Sequence, residues 1–378
     1  MFKLLRHASC LILCAAPLVA APYQTAEDLG EALFFETDLS LNRSQSCATC
    51  HDPAAGFVDP RGDAEGAFSR GDDGVSLGGR HAPTAAYASL SPAFHQNDAG
   101  EWVGGQFWDG RAADLAEQAG GPILNPIELG LSSQAEAIAR LAAHPEYVES
   151  FQTLYSVDIT TDTEAGFKAL TQALAAFESS DVFQPFDSKY DRFLRGDVEL
   201  SSEEELGRLL FFSEQFTNCN QCHQLRRSAI DPAEPFSDFR YHNIGVPANV
   251  AGRLENGVAE DWVDAGLYEN PSVLDRAERG KFKTPTLRNV AVTGPYMHNG
   301  VFQDLRTVVL FYNRYNSKAA SAQINPETGA PWGEIPVPDT LAQKELTHGP
   351  ALDDRRVDAL VAFLKTLTDS RYEPLLQE

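Results

Sequence analysis

Positive charge is scarce in this 378-residue chain: 30 lysines and arginines stand against 54 aspartates and glutamates, for a formal net charge of −24. That balance excludes nucleic acid and an anionic membrane as partners. It permits steering toward a basic protein, although a solvated acidic surface explains it equally well. Methionine is scarcer still, with Met1 and Met297 alone, so at most one thioether is available away from the N-terminus. Long apolar runs are missing too, since the stretch from Leu11 to Ala20 is too short to span a bilayer. Preceded by Lys3 and Arg6 and ending in small residues, it reads as a secretory signal over residues 1–21, cut near Ala20 or Ala21. Leu13 weakens a lipoprotein reading of Cys14, because a small residue belongs there. The mature chain is thus exported, with no membrane span. Cleavage removes Cys10 and Cys14 and leaves four cysteines: Cys47, Cys50, Cys219 and Cys222.

Those four sit in two identical settings, Cys47-Ala-Thr-Cys-His51 and Cys219-Asn-Gln-Cys-His223. In C-x-x-C-H, two thiols add across the vinyl groups of a porphyrin and the adjacent imidazole becomes the iron's proximal ligand. A zinc site would need a second pair of ligands near each motif, and the sequence offers none there. A disulfide redox C-x-x-C does not need the following histidine. The cofactors are therefore two haem c groups, with no thiol left over for a disulfide, and covalent haem points to the periplasm.

The surroundings of the motifs are duplicated as well. Asp28-Leu-Gly-Glu-Ala-Leu-Phe-Phe35 precedes the first, and Glu205-Leu-Gly-Arg-Leu-Leu-Phe-Phe212 precedes the second. Each predicts an amphipathic helix leading into a haem site, the second capped by Ser202 three residues before Glu205. Phe167, Leu170, Leu174 and Phe177 fall on one helical face, as do Val357, Leu360, Val361, Leu364 and Leu367. Residues 134–155 read as helical with a break near Pro145. Segments 52–105 and 225–280 are rich in Gly, Pro and Asp without periodicity and read as long loops wrapping the cofactors. No sizeable sheet is suggested. The class is mostly α, as two cytochrome c-like domains over 22–195 and 196–378, joined through the Pro-, Gly- and charge-rich stretch 183–200.

Two haems alone could mean electron transfer only; an iron with an open position can meet a small oxidant. Which irons are closed depends on second ligands. Met297 is the single methionine available, and any one of His81, His95, His144, His242, His298 and His348 reads first as a surface or hydrogen-bonding residue.

Four longer motifs narrow the choice: Phe107-Trp-Asp-Gly-Arg-Ala112, Gly121-Pro-Ile-Leu-Asn-Pro-Ile-Glu128, Tyr241-His-Asn-Ile-Gly245, and Lys283-Thr-Pro-Thr-Leu-Arg-Asn-Val290 followed by Gly294-Pro-Tyr-Met-His-Asn-Gly300. In this order, and over nearly the whole mature chain, the sequence resembles the dihaem cytochrome c peroxidase/MauG family, and within it the MauG- and MbnH-type members. The resemblance implies a peroxide-reactive haem in the N-terminal domain, a low-spin haem in the C-terminal domain, a tryptophan between them and a calcium ion at their interface. In members with a methionine-ligated second haem, that methionine lies fourteen residues after the histidine of P-Y-x-H. From His298 that count reaches Tyr312, and MauG-type members carry tyrosine there. Taken without the resemblance, Tyr312 is a core aromatic, Glu128 a loop carboxylate and Trp108 a core indole.

What the resemblance implies for the first haem is an open face beneath Gln118, Pro122 and Glu128. Glu128 would move a proton between the two peroxide oxygens, and Pro122 would deny the iron a sixth protein ligand by shape. Trp108 would relay charge between the haems. His298 would lie beside the second haem without ligating it, and Met297, the rival ligand, would be a packing residue. Calcium would be held by the carbonyls of Thr293 and Pro295 and by an asparagine side chain, whose place is taken here by His81. Imidazole suits hard Ca²⁺ poorly. The function implied is use of hydrogen peroxide to form a high-valent dihaem state that oxidises a residue, a tryptophan by preference, of a periplasmic partner protein. Two alternatives stay open: a peroxidase fed by a small cytochrome or cupredoxin, and a pure electron carrier.

Overall fold

The computed structural model describes residues 22–61, 67–225, 230–259 and 261–376. The signal at 1–21 lies outside them. The first half is built from α1 (Ala26–Phe34), the short α2 (Cys47–Cys50), α3 (Leu115–Leu124), α4 (Gln134–Leu141), α5 (Pro145–Tyr155) and α6 (Thr163–Glu178). The second contains α7 (Lys189–Leu194), α8 (Ser202–Phe211), α9 (Val250–Asn256), α10 (Leu305–Asn313), α11 (Gln343–Leu346) and α12 (Asp354–Lys365). Among the described residues, strands are two residues long, in three antiparallel pairs: β1 (His95–Gln96) with β2 (Trp102–Val103), β3 (Tyr241–His242) with β4 (Phe282–Lys283), and β5 (Ile324–Asn325) with β6 (Ala330–Pro331). The chain is mostly helical, as its periodicity predicts.

The helices form where pattern and caps agree. Asp162 accepts from Ala165 N to start α6, which buries Phe167, Leu170, Leu174 and Phe177 against α1 and α3. The break near Pro145 separates α4 from α5, with the proline in the first turn of the new helix. In α8 the cap falls one residue earlier than the sequence suggests. Ser201 Oγ accepts from Glu204 N at 3.2 Å, and Glu204 Oε2 accepts from Ser201 N at 2.6 Å. The run Ser-Ser-Glu-Glu-Glu fits both registers. The stretch 225–280 is not all loop: α9 lies within it, capped by Asn249 and ended by Gly257 at φ 71°.

The duplication extends further than the segments flanking the cysteines. α1 packs on α6, and α8 packs on α12. A Cβ added to Gly30 would lie 2.0 Å from Ala173 O and 2.8 Å from Phe177 Cβ. One added to Gly207 would lie 1.8 Å from Ala359 O and 2.8 Å from Phe363 Cβ. Both contacts fall on Ala-Leu-x-Ala-Phe, at residues 173–177 and 359–363, so each half repeats one helix pair locked by one glycine.

Each half has its own core. The first runs through Phe183, with Phe186 packed against it, and the second takes in Tyr190, Phe211, Phe236 and Phe363. The packing changes over between Phe186 and Tyr190, ahead of residue 195, because Ser188 and Asp191 start α7 with a capping box and α7 faces the second core. The C-terminal segment returns to the first half, where Asp369 accepts from Tyr87 Oη and Pro53 O accepts from Tyr372 Oη at 2.8 Å.

Candidate functional site

The first motif forms α2, opened by Ser46 N donating to Thr49 Oγ1 at 2.9 Å. His51 follows, its Nδ1 3.1 Å from Phe57 O. That bond fixes the tautomer and leaves Nε2 available to a metal. Burial keeps the ring below its ordinary pKa, hence neutral. Cys47 and Cys50 are free thiols, pushed up by burial, Cys50 to about 11.

One helix face supplies the residues expected above this site. Gln118 and Pro122 lie four apart on α3, and Leu129 N donates to Pro122 O at 3.1 Å as the chain turns back through Glu128. Burial raises the Glu128 carboxyl, while the positive charge of Arg111 and a hydrogen bond from Asn125 oppose the shift. Its charge reaches Cys50. Arg111 itself is fixed 3.6 Å over the Phe107 ring and 2.9 Å from Asp109 Oδ1.

The second motif repeats the device. His223 Nδ1 lies 3.2 Å from Phe236 O, again leaving Nε2 free. Here the residues line a cavity of about 660 Å³ that includes Cys219, Cys222 and His223 together with Trp108, Met297, His298 and Tyr312. Free thiols, imidazoles held by Nδ1 and a largely apolar cavity of this size all fit a covalently attached haem. Tyr312 on α10 and Met297 both reach the cavity, so the two rival ligands are brought together. Burial pushes the Tyr312 phenol up, and the sulfurs of Cys222 and Cys219 push it further. A phenolate there needs a cation to stabilise it. His298 stacks on Phe282, centroids 3.6 Å apart.

Trp108 lies between the halves. Its Nε1 donates to His81 O at 2.8 Å, its carbonyl accepts from Lys283 N at 2.9 Å, and its ring meets His298 edge-on at 6.5 Å. The His81 imidazole is buried and neutral, its pKa lowered to about 4, and the His81 backbone N–H donates to His298 O at 2.8 Å. Two carbonyls, of Thr293 and Pro295, are two of the six to eight oxygens calcium takes, and water would have to supply the rest.

Several residues escaped the sequence reading. Asp238 and His242 come within 4.8 Å of Cys222, and these carboxylate and sulfur partners raise His242 to about 10 against its burial. His242 lines the second cavity, and Asp238 lies beside it. Arg80 holds Asp109 at 2.6 Å, Asp264 at 2.6 Å and Glu269 at 2.9 Å, tying the Trp108 loop to the second half. Arg253 lines the second cavity from α9. Only the Asn249 and Gly257 caps could have revealed that helix.

A family model described as di-haem cytochrome c peroxidase matches residues 24–199. The methylamine utilization protein MauG of Paracoccus denitrificans (strain Pd 1222) is 51% identical over 383 residues, covering 100% of this chain and 98% of its own. The cytochrome c551 peroxidase of Nitrosomonas europaea is 30% identical over 93% of this chain and 83% of its own. Among solved structures, the diheme peroxidase BthA of Burkholderia thailandensis E264 superposes with a TM-score of 0.83 at 31% identity, covering 94% of this chain and 89% of that one.

Proposed function

The chain belongs to the di-haem cytochrome c peroxidase family, and from that premise we propose a MauG-like oxidoreductase that uses hydrogen peroxide to oxidise a side chain, a tryptophan by preference, of a periplasmic partner protein. One observation supports this reading above the rest: Tyr312 lines the cavity that contains Cys219, Cys222 and His223. An anionic oxygen donor favours the higher oxidation states of a haem, whereas a thioether raises its potential. The two haems, when bound, supply the peroxide chemistry and the storage of oxidising equivalents.

The chain's own residues do the rest. His51 and His223 offer Nε2 to the irons while carbonyl oxygens hold Nδ1. Pro122 keeps protein ligands off the first iron, and Gln118, one turn away on α3, faces the same space. Glu128 would accept a proton from hydrogen peroxide as a carboxylate and give it back as a carboxylic acid, the redox chemistry of peroxide cleavage being the haem's. Trp108, its N–H anchored on His81 O, is the relay between the halves.

Peroxide titration followed in the near infrared tests the reading. The wild type should develop the band of two electronically coupled haems, and Tyr312→Phe should abolish it with both haems still attached. A band that survives Tyr312→Phe overturns the ligand assignment. The resemblance to the Nitrosomonas peroxidase supports a second reading, reduction of peroxide with electrons from a small cytochrome or cupredoxin. Fast peroxide-driven oxidation of a reduced small cytochrome, together with sulfur ligation of the second haem by Met297, would select it.

A further inference from the structure

Among the described residues, the second cavity carries a guanidinium with two nitrogens that no hydrogen-bond acceptor meets. Arg253 is 4% exposed, yet its Nε and Nη1 have no hydrogen-bond partner. Its guanidinium stacks 3.9 Å from the Trp262 ring, and both residues line the cavity. The position is built. Asn249 Oδ1 accepts from Gly252 N at 3.0 Å to cap α9, while Asn249 Nδ2 donates to Asn299 O at 3.0 Å and ties the helix to the loop that bears Met297 and His298. Gly252 lies against Phe68 so closely that a Cβ would meet Cε2 at 2.3 Å. The helix is clamped on both sides.

The two carboxylates whose charge reaches Arg253 are engaged elsewhere. Asp264, whose charge reaches Arg253, accepts from Arg80 with both oxygens, at 2.7 and 2.6 Å. Glu269 accepts from Arg80 at 2.9 Å. Three other basic side chains of the cavity are hydrogen-bonded: Lys283 Nζ donates to Gly105 O, His242 Nε2 meets Asp238 Oδ2, and His223 Nδ1 meets Phe236 O; His298 is stacked on Phe282. A guanidinium buried without a partner is costly, and removing water from its N–H groups is recovered only by an anion in contact. Burial accordingly lowers Arg253 from its ordinary value.

We propose that Arg253 is a positioning residue for the second haem, donating an N–H to a propionate carboxylate while Trp262 holds the guanidinium plane. The inference rests on reading this cavity as the second haem's site. A charge-assisted bond of this kind sets the haem's orientation. It also offsets the negative charge beside the iron, so losing it favours the ferric state.

The test uses the purified holoprotein, with haems counted by pyridine haemochrome and both midpoint potentials measured by spectroelectrochemistry. Arg253→Gln should shift the one-electron equilibrium of the second haem at least tenfold toward ferric iron, about 59 mV. Arg253→Lys should stay within threefold of wild type, and the first haem should not move in either variant. Unchanged potentials in Arg253→Gln with both haems attached overturn the proposal. If Arg253→Gln attaches one haem only, two haems in Arg253→Lys support the charge role; one haem there overturns it in favour of packing. A wild-type protein carrying a single haem would instead overturn the assignment of the cavity itself.

Discussion

On the proposed reading, Glu128 shows how a single carboxyl is set for proton transfer. Burial raises its pKa above the ordinary carboxylate range, and Arg111 and Asn125 keep the rise from going further. The charged form is the one that can accept a proton from peroxide. Activity should therefore fall as the pH drops through this raised pKa, giving an acid limb above the range of an exposed glutamate. Glu128→Gln should lower peroxide turnover about 10²- to 10⁴-fold and remove that limb, with the spectra of both haems unchanged. A pH–rate profile of the variant that keeps the wild-type acid limb would reassign the proton to another group.

At the scale of elements, the two halves are held by the same joint. Gly30 and Gly207 let α1 and α8 press against the backbone of α6 and α12. Alanine at either place gains up to about 1 kcal/mol in helix propensity. It meets a carbonyl oxygen of the facing helix at 2.0 or 1.8 Å, and backbone cannot turn aside as a side chain can. Overpacking costs about 1–3 kcal/mol and wins. Gly207→Ala and Gly30→Ala should each lower the denaturation midpoint, read by urea unfolding of the holoprotein, whereas an unchanged midpoint would mean that the helices slide apart freely. These helices were legible in the sequence because caps and apolar spacing are local. The partner helices also carry a repeat, Ala-Leu-x-Ala-Phe, but what it does becomes apparent only when the glycines are seen against it. The two Cys-x-x-Cys-His motifs could be read directly for the same local reason. Arg80, Asp238, His242 and Arg253 could not, since their meaning lies in groups more than a dozen residues away or in the cavity they face, and no spacing rule records such encounters.

For the whole molecule, the junction is as well made as either core. Arg288, 1% exposed, bonds both oxygens of Asp191, at 2.8 and 3.0 Å, and Glu234 O at 2.8 Å. Its guanidinium lies 4.9 Å from the Tyr87 ring and 4.5 Å from that of Phe186, both in the first half. Arg288→Met removes one member of a buried pair and leaves Asp191 charged without a partner, a loss of about 3–5 kcal/mol. Guanidinium unfolding should register it at both haems together, because the paired guanidinium packs on Tyr87 and Phe186 of the first half. Loss of stability at only one haem would mean that the halves unfold independently.

The hydrogen bond from Trp108 to the carbonyl of His81 has a consequence for how such a relay would behave. A peptide oxygen can share a proton but is far too weak a base to keep one. An electron drawn from the indole would leave its hydrogen where it was, and the ring would carry the full cationic hole. Such a hole refills at once from a neighbour, where a deprotonated radical would linger and scar the protein. The bond thus favours a conduit that hands charge on over a trap that stores it.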